Sequence, residues 1–360
     1  MVQRGKNAET KHVICTVCDN YCPLKANVVG GVLQGLEPYE DPKAICFKAH
    51  SWKEHINHPD RILHPMKNVG TRGAQRWVPI SWDQALDEIA ARLRQIIGTY
   101  GPESVAVSSL MGNVSGDQGM IRRFMNLIGS PNFISGLHMC EGNTLQVHRA
   151  TFGTSIAEDL SSANCILLVG HNPHRGNWAG QAAQLDAALA RGAKLIVLDP
   201  RKSENAWRAD IHLPLRYGTD TAMLLGFLRV IVEEELYDKE FVARYTYGFP
   251  QLRERLQEYS LEKVAAITGC DAQQIAAAAR LFATAGPSVI PWGPILDMQV
   301  NSTSGIRCED LLVSICGFVG KCEQLQSPEP ALVNVSQLEL HEMLSQEQKE
   351  KQLGADRYPL

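Results

Sequence analysis

The run Cys165-Ile166-Leu167-Leu168-Val169-Gly170 constrains the fold more than any other stretch of this chain. A short, continuous apolar run that stops at glycine reads as a strand covered on both faces. A helical run over 178–190 follows, then Gly192, then a second apolar strand, Lys194-Leu195-Ile196-Val197-Leu198, which ends at Asp199-Pro200. Strand, crossover helix and parallel strand within this length form a βαβ unit. Residues 211–215 predict a third strand and 221–235 a helix capped by Thr219-Asp220. Further helices fit 237–245, 250–259, 261–268 and 271–285, and 288–292 reads as another apolar strand. The expected class is α/β and multidomain, with a Rossmann-like parallel sheet in one domain.

Ligands of open parallel sheets sit beyond the carboxyl ends of the strands. Three loops fall there: Gly170-His171-Asn172, Asp199-Pro200-Arg201 and Gly218-Thr219-Asp220. Asp199 suits a ribose or guanine edge, Arg201 a phosphate, and the third loop opens a helix, a natural anion site. Turn glycines and a capping aspartate are the competing structural reading. The chain carries neither a Gly-x-Gly-x-x-Gly fingerprint nor a P-loop, which disfavours ordinary NAD or ATP binding.

The second constraint lies near the start. Cys15, Cys18 and Cys22 form a close run, answered by Cys46. Four thiolates can hold a [4Fe–4S] cluster. A four-cysteine zinc site competes, but zinc ribbons show two short Cys-x-x-Cys knuckles, whereas here a triple run is answered by one distant cysteine. Between them, 26–36 predicts two short strands around Gly30-Gly31, a hairpin that returns the chain to Cys46. Cys140 is a single cysteine among polar and small residues. Cys165 reads as core, and Cys270, Cys308, Cys316 and Cys322 are too loosely spaced for a metal motif.

The chain's 360 residues exceed one compact core. The punctuation predicts a cluster domain over 1–63, an α/β segment over 64–136, the Rossmann-like domain over 137–330 and a helical connector over 331–360. A net charge of −4 gives no reason to expect nucleic acid. No apolar run reaches the length of a membrane span. Residues 1–10 are polar and lack the apolar core of a secretion signal, so the expectation is a cytoplasmic protein whose cysteines are ligands or buried thiols. Residues 81–99 form the clearest helix: Ser81 and Gln84 have capping-box spacing. Trp82, Ala85, Leu86, Ile89, Leu93, Ile96 and Ile97 make one apolar stripe, read as core.

Together these residues resemble a family, the molybdenum/tungsten bis-pterin enzymes of the dimethyl sulfoxide reductase and formate dehydrogenase type. The landmarks are the four N-terminal cysteines with Lys48, Ser81-Trp82-Asp83-Gln84-Ala85-Leu86, Arg122-Arg123-Phe124, Cys140, Asp199-Pro200-Arg201 and 213–220, in that order. Within the family the pattern is nearest to the acetylene hydratase type, which also has an aspartate after the second cluster cysteine, here Asp19, and a Met-Cys-x-Gly-Asn-Thr run. The resemblance implies that Cys15, Cys18, Cys22 and Cys46 ligate a [4Fe–4S] cluster and that Lys48 lies on the electron path to a pterin. It implies that Cys140 ligates molybdenum or tungsten beside two pterin guanine dinucleotides. Asn172, Asp199, Arg201, Gly218 and Asp220 would hold one dinucleotide.

The family's chains run much longer than this one, so Leu360 is expected to fall inside a truncated fold. The site also departs from the hydratase pattern: Asn20 follows Asp19, Gly112-Asn113 stands in the expected funnel loop, and Glu141 follows Cys140. A buried carboxylate needs partners, and it suits proton relay or a polar substrate better than an alkyne. The leading expectation is two-electron redox chemistry on a small polar substrate, with Asp19 or Glu141 moving protons and an electron-transfer protein or subunit as partner. Non-redox hydration with Asp19 as general acid/base is the first alternative. A non-catalytic iron–sulfur fragment is the second.

Overall fold

The computed structural model describes residues 8–17, 22–39, 45–109, 115–136, 140–176, 179–325 and 334–356. It divides into two compact units, Met1–Gly136 with Pro330–Leu360, and Leu137–Glu329.

In the first unit, Ala8–Ile14, Pro23–Val29 and Val32–Pro38 form a three-stranded antiparallel sheet in chain order. Gly30 and Gly31 make the turn with φ of +58° and +81°, the paired left-handed geometry that joins two-residue hairpins. Only the second and third strands were legible in the sequence. The first, Ala8–Ile14, is exposed along its length and lacks the apolar alternation of a half-buried strand.

The helix Trp82–Tyr100 begins where expected, and the Ser81 hydroxyl accepts the Gln84 amide N–H at 3.0 Å. Gln84 turns its side chain forward to Glu88 at 2.9 Å. The expected burial of its stripe is overturned: no residue of this helix is buried, and Trp82, Leu86 and Ile89 are 67%, 58% and 56% exposed. Helical periodicity records that a face is apolar, while burial also requires something to cover it. Beside Trp82 an open cleft of about 590 Å³ is lined by Ile62, Leu63, Met66 and Trp77, among others. Further on, Val107–Ser109 pairs in parallel with Phe133–Ser135. The end of the chain returns to the helix Ser115–Ile128, where the Asn126 amide donates to the Glu339 carbonyl at 2.7 Å.

The second unit is built on a four-stranded parallel sheet in the order Ile211–Leu213, Lys194–Leu198, Cys165–Val169, Ser288–Val289. The helix Ala179–Ala190 provides the predicted crossover. Alternation along the strands feeds two cores. Cys165, Leu167, Val169, Ile196 and Leu198 face one, with Phe227 and Phe282, while Ile166, Leu168, Leu195 and Val197 face the other, with Leu185. This double cover explains why the strands read as unbroken apolar runs. Asp220–Glu233, Leu261–Thr268 and Ala272–Thr284 fall close to the predicted helices. The helices Gly142–Phe152 and Ser302–Ile315 carried no sequence-level prediction. Cys308 and Cys316, in and just after the second of these, pack into the core with Cys165. No helix among the described residues is long and apolar enough to cross a membrane.

Candidate functional site

The cysteine run of the first unit is a strand connection. Ile14 pairs with Pro23, and one step further the Cys15 amide donates to the Cys22 carbonyl at 2.9 Å. Antiparallel pairing thus sets the backbones of Cys15 and Cys22 opposite one another. Cys46 stands at the N-cap of the short helix Phe47–His50, which carries Lys48. Cys15, Cys22, Cys46 and Lys48 are all half-buried. Cys18, Asp19 and Asn20, and likewise Gly112 and Asn113, lie outside the described residues. Among the described residues no group of three His, Cys, Asp or Glu side chains converges as a metal site.

In the second unit, Cys140 is half-buried and Glu141 is the N-cap residue of Gly142–Phe152. The start of an eleven-residue helix favours negative charge beside it. Glu158 lies within electrostatic reach of Glu141, and burial raises its carboxyl above the usual range, with the Glu141 charge adding to the rise.

The strand-end loops form a cleft of about 500 Å³ lined by Asn172, Arg175, Gly176, Arg201, Lys202, Ser203 and Glu204. Gly170 ends its strand at φ +55°, and a Cβ there would meet Ile295 Cγ2 at 2.6 Å, so glycine is required by both backbone and space. The chain then turns through buried His171, whose Nε2 lies 2.8 Å from Gln181 Oε1, to Asn172. Asn172 donates to Glu204 Oε2 at 3.1 Å and accepts from the Asn205 amide at 3.0 Å. Arg175 Nε meets Glu204 Oε1 at 2.6 Å. The hydrogen bond from its own backbone, then those from Asn172 and Arg175, hold the Glu204 carboxyl down at about 2.

Asp199 is buried beneath this cleft. Its Oδ1 accepts the Arg201 backbone N–H at 2.8 Å, and its carboxylate faces the guanidinium at 3.4 Å, while the Arg201 side chain stays exposed. Asn172 and Arg201 therefore line one cleft, with Asp199 as the support of Arg201. Gly218 and Asp220 do not line it. Gly218 turns at φ +74° before the helix Asp220–Glu233, and buried Asp220 accepts from Gln299 at 2.7 Å. Arg175, Glu204 and Asn205 were not singled out from the sequence, because their role comes from side chains folded back onto Asn172.

A family model described as molybdopterin oxidoreductase matches residues 61–302. Acetylene hydratase of Syntrophotalea acetylenica is 50% identical over 360 residues, covering 98% of this chain and 49% of that protein. The thiosulfate reductase molybdopterin-containing subunit PhsA of Salmonella typhimurium is 34% identical over 282 residues, 77% of this chain and 37% of that one. Formate dehydrogenase H of Escherichia coli is 30% identical over 327 residues, 86% of this chain and 44% of that one. Among solved structures, acetylene hydratase from Pelobacter acetylenicus superposes with a TM-score of 0.83 at 49% identity, over 97% of this chain and 49% of that chain. The chain spans about half the length of the curated relatives it matches.

Proposed function

This chain belongs to the molybdopterin oxidoreductase family, and on that premise we propose that it supplies the cluster-binding and dinucleotide-binding part of a molybdenum or tungsten bis-pterin enzyme acting on a small polar substrate. The observation that carries the reading is the cleft at the carboxyl edge of the parallel sheet, lined by both Asn172 and Arg201, with buried Asp199 bonded to the Arg201 backbone. Its chemistry fits a pterin guanine dinucleotide. Three cationic side chains, Arg175, Arg201 and Lys202, line the cleft, and cations are what a diphosphate requires.

Bound there, the pterin would hold molybdenum or tungsten and supply two-electron chemistry. Cys140 gives the metal a thiolate, and Glu141 beside it holds or passes a proton. Cys15, Cys18, Cys22 and Cys46 hold a [4Fe–4S] cluster, with Lys48 close by to stabilise added negative charge, and an electron-transfer protein or subunit serves as partner. Asp19 is the second proton-handling carboxyl of this reading. Gly218 and Asp220 shape the third strand-end loop toward the same dinucleotide.

A second reading, non-redox hydration, is favoured by the 50% identity to acetylene hydratase. Glu141 directly after Cys140 weighs toward a polar substrate and redox chemistry. The discriminating experiment uses a preparation loaded with molybdenum or tungsten. Substrate-dependent oxidation or reduction of an artificial dye, lost in Cys140→Ala while the cluster absorption remains, supports the proposal. Turnover of an alkyne with no electron donor or acceptor supports hydration instead, and full dye activity in Cys140→Ala overturns the assignment of that residue.

A further inference from the structure

We propose that a small polar cavity against the helix Gly142–Phe152 is a one-water proton store, in which Asp310 and Glu158 exchange a proton through the water. The store does not rest on the reading of Cys140 given above.

The cavity has a volume of about 20 Å³, and its walls include Thr144, His148, Glu158, Trp292, Glu309 and Asp310. That volume holds one water when polar groups surround it. Thr144 and His148 share a wall because residues four apart lie on one face of a helix. Asp310 comes from the helix Ser302–Ile315, and Glu158 closes the strand Ile156–Glu158.

One side of this network is saturated. Asp297 accepts the Thr144 hydroxyl at 2.6 Å, the Thr144 amide at 3.1 Å and the Trp292 indole N–H at 3.2 Å. The Trp292 backbone N–H reaches Glu158 Oε1 at 3.3 Å. The other side is not. Asp310 is 2% exposed; its Oδ1 lies 3.3 Å from His148 Nε2, and its Oδ2 makes no hydrogen bond of ordinary geometry among the described residues. A buried carboxyl oxygen left without a partner is strongly disfavoured, and a water in the cavity satisfies it.

The charges around the cavity agree. Burial pushes the Asp310 carboxyl up to about 7, against the pull of the nearby Thr151 hydroxyl, whose own proton goes to the Val147 carbonyl at 2.8 Å, and of Arg307. Burial raises Glu158, opposed by hydrogen bonds from its own backbone and from Trp292 and helped by Glu141. Burial lowers His148, opposed by the charge of Asp297. Near neutral pH the store thus combines an uncharged imidazole with a carboxylic acid that keeps its proton about half the time. In the exchange, Asp310 gives a proton to the water, the water gives one to Glu158, and Asp310 is reprotonated from solvent through half-buried Glu309. Only O–H bonds are made and broken, one for one.

The test is infrared spectroscopy of the 360-residue chain as a function of pH. A carbonyl band of a protonated carboxylic acid should persist well above the ordinary carboxylate range, titrate with a midpoint near 7, and vanish in Asp310→Asn. His148→Gln keeps the acid but removes its neighbour, so it must move the midpoint. Absence of the band, or a midpoint indifferent to His148→Gln, overturns the store. Retention of the band in Cys140→Ala shows that the store is independent of the metal reading.

Discussion

The Cys15 amide and the Cys22 carbonyl, 2.9 Å apart, fasten the two ends of the loop that contains Cys18. The sheet thereby brings two cysteines close through backbone pairing alone. Cys46 arrives from the other direction, at the first turn of a helix.

Cys46→Ser keeps a competent N-cap residue and removes a thiolate. Chain purified without oxygen should carry about four irons, and this variant should lose most of them. Iron determination and visible absorption check it, with circular dichroism unchanged. Full iron in the variant removes Cys46 from the ligand set.

Gly170→Ala forces a side chain into left-handed backbone and against Ile295. The expected cost is about 1–3 kcal/mol, read from the urea midpoint. Because Asn172 follows two residues later, guanosine monophosphate binding at the cleft, followed by calorimetry, should weaken in parallel.

Leu86→Glu tests the apolar stripe of Trp82–Tyr100. Leu86 is exposed, so unfolding of this chain should shift by no more than about 0.5 kcal/mol. Phe227→Ala, in the core of the second unit, should cost about 3–5 kcal/mol. Equal effects from the two would restore the stripe to the core.

Asp310 gives stability a definite pH dependence. Its folded value, about 7, stands above the unfolded 3.8, so the folded chain holds a proton that the unfolded chain releases between those values. The stabilisation is complete at low pH and drains as pH rises toward 7, with a limiting slope of about 1.4 kcal/mol per pH unit. His148, lowered by burial, works in the opposite sense: its contribution is present above 6.5 and is lost as pH falls. The clean measurement is therefore the difference between wild type and Asp310→Asn in urea unfolding. That difference should shrink in the variant's favour from about pH 4 to about pH 7 and stay level above.

The parallel sheet was legible because its strands are covered on both faces, which leaves an unmistakable apolar run at Cys165–Val169. The strand-end positions of Asn172, Asp199 and Arg201 were legible because strand ends can be read locally. The stripe at Trp82, Leu86 and Ile89 misled because amphipathic spacing says nothing about what covers a face. The Asp310–His148 contact was invisible for another reason: each residue is ordinary in its own helix, and only the packing of those helices makes the pair. Glu204 escaped notice in the same way, since its partners Asn172 and Arg175 lie on a different strand-end loop.

The buried thiols of Cys165, Cys308 and Cys316, each pushed up to about 12 by burial, make the folded chain selective toward alkylating reagents. Such reagents attack thiolates, and these three side chains present almost none at neutral pH. Their labelling, peptide by peptide in a mass spectrum, dates the moment at which the second unit opens. Half-buried Cys46 and Cys140 lie nearer the surface, so their labelling follows exposure in the folded chain. One reagent and one digest thus separate opening of the core from reaction at the surface within a single sample.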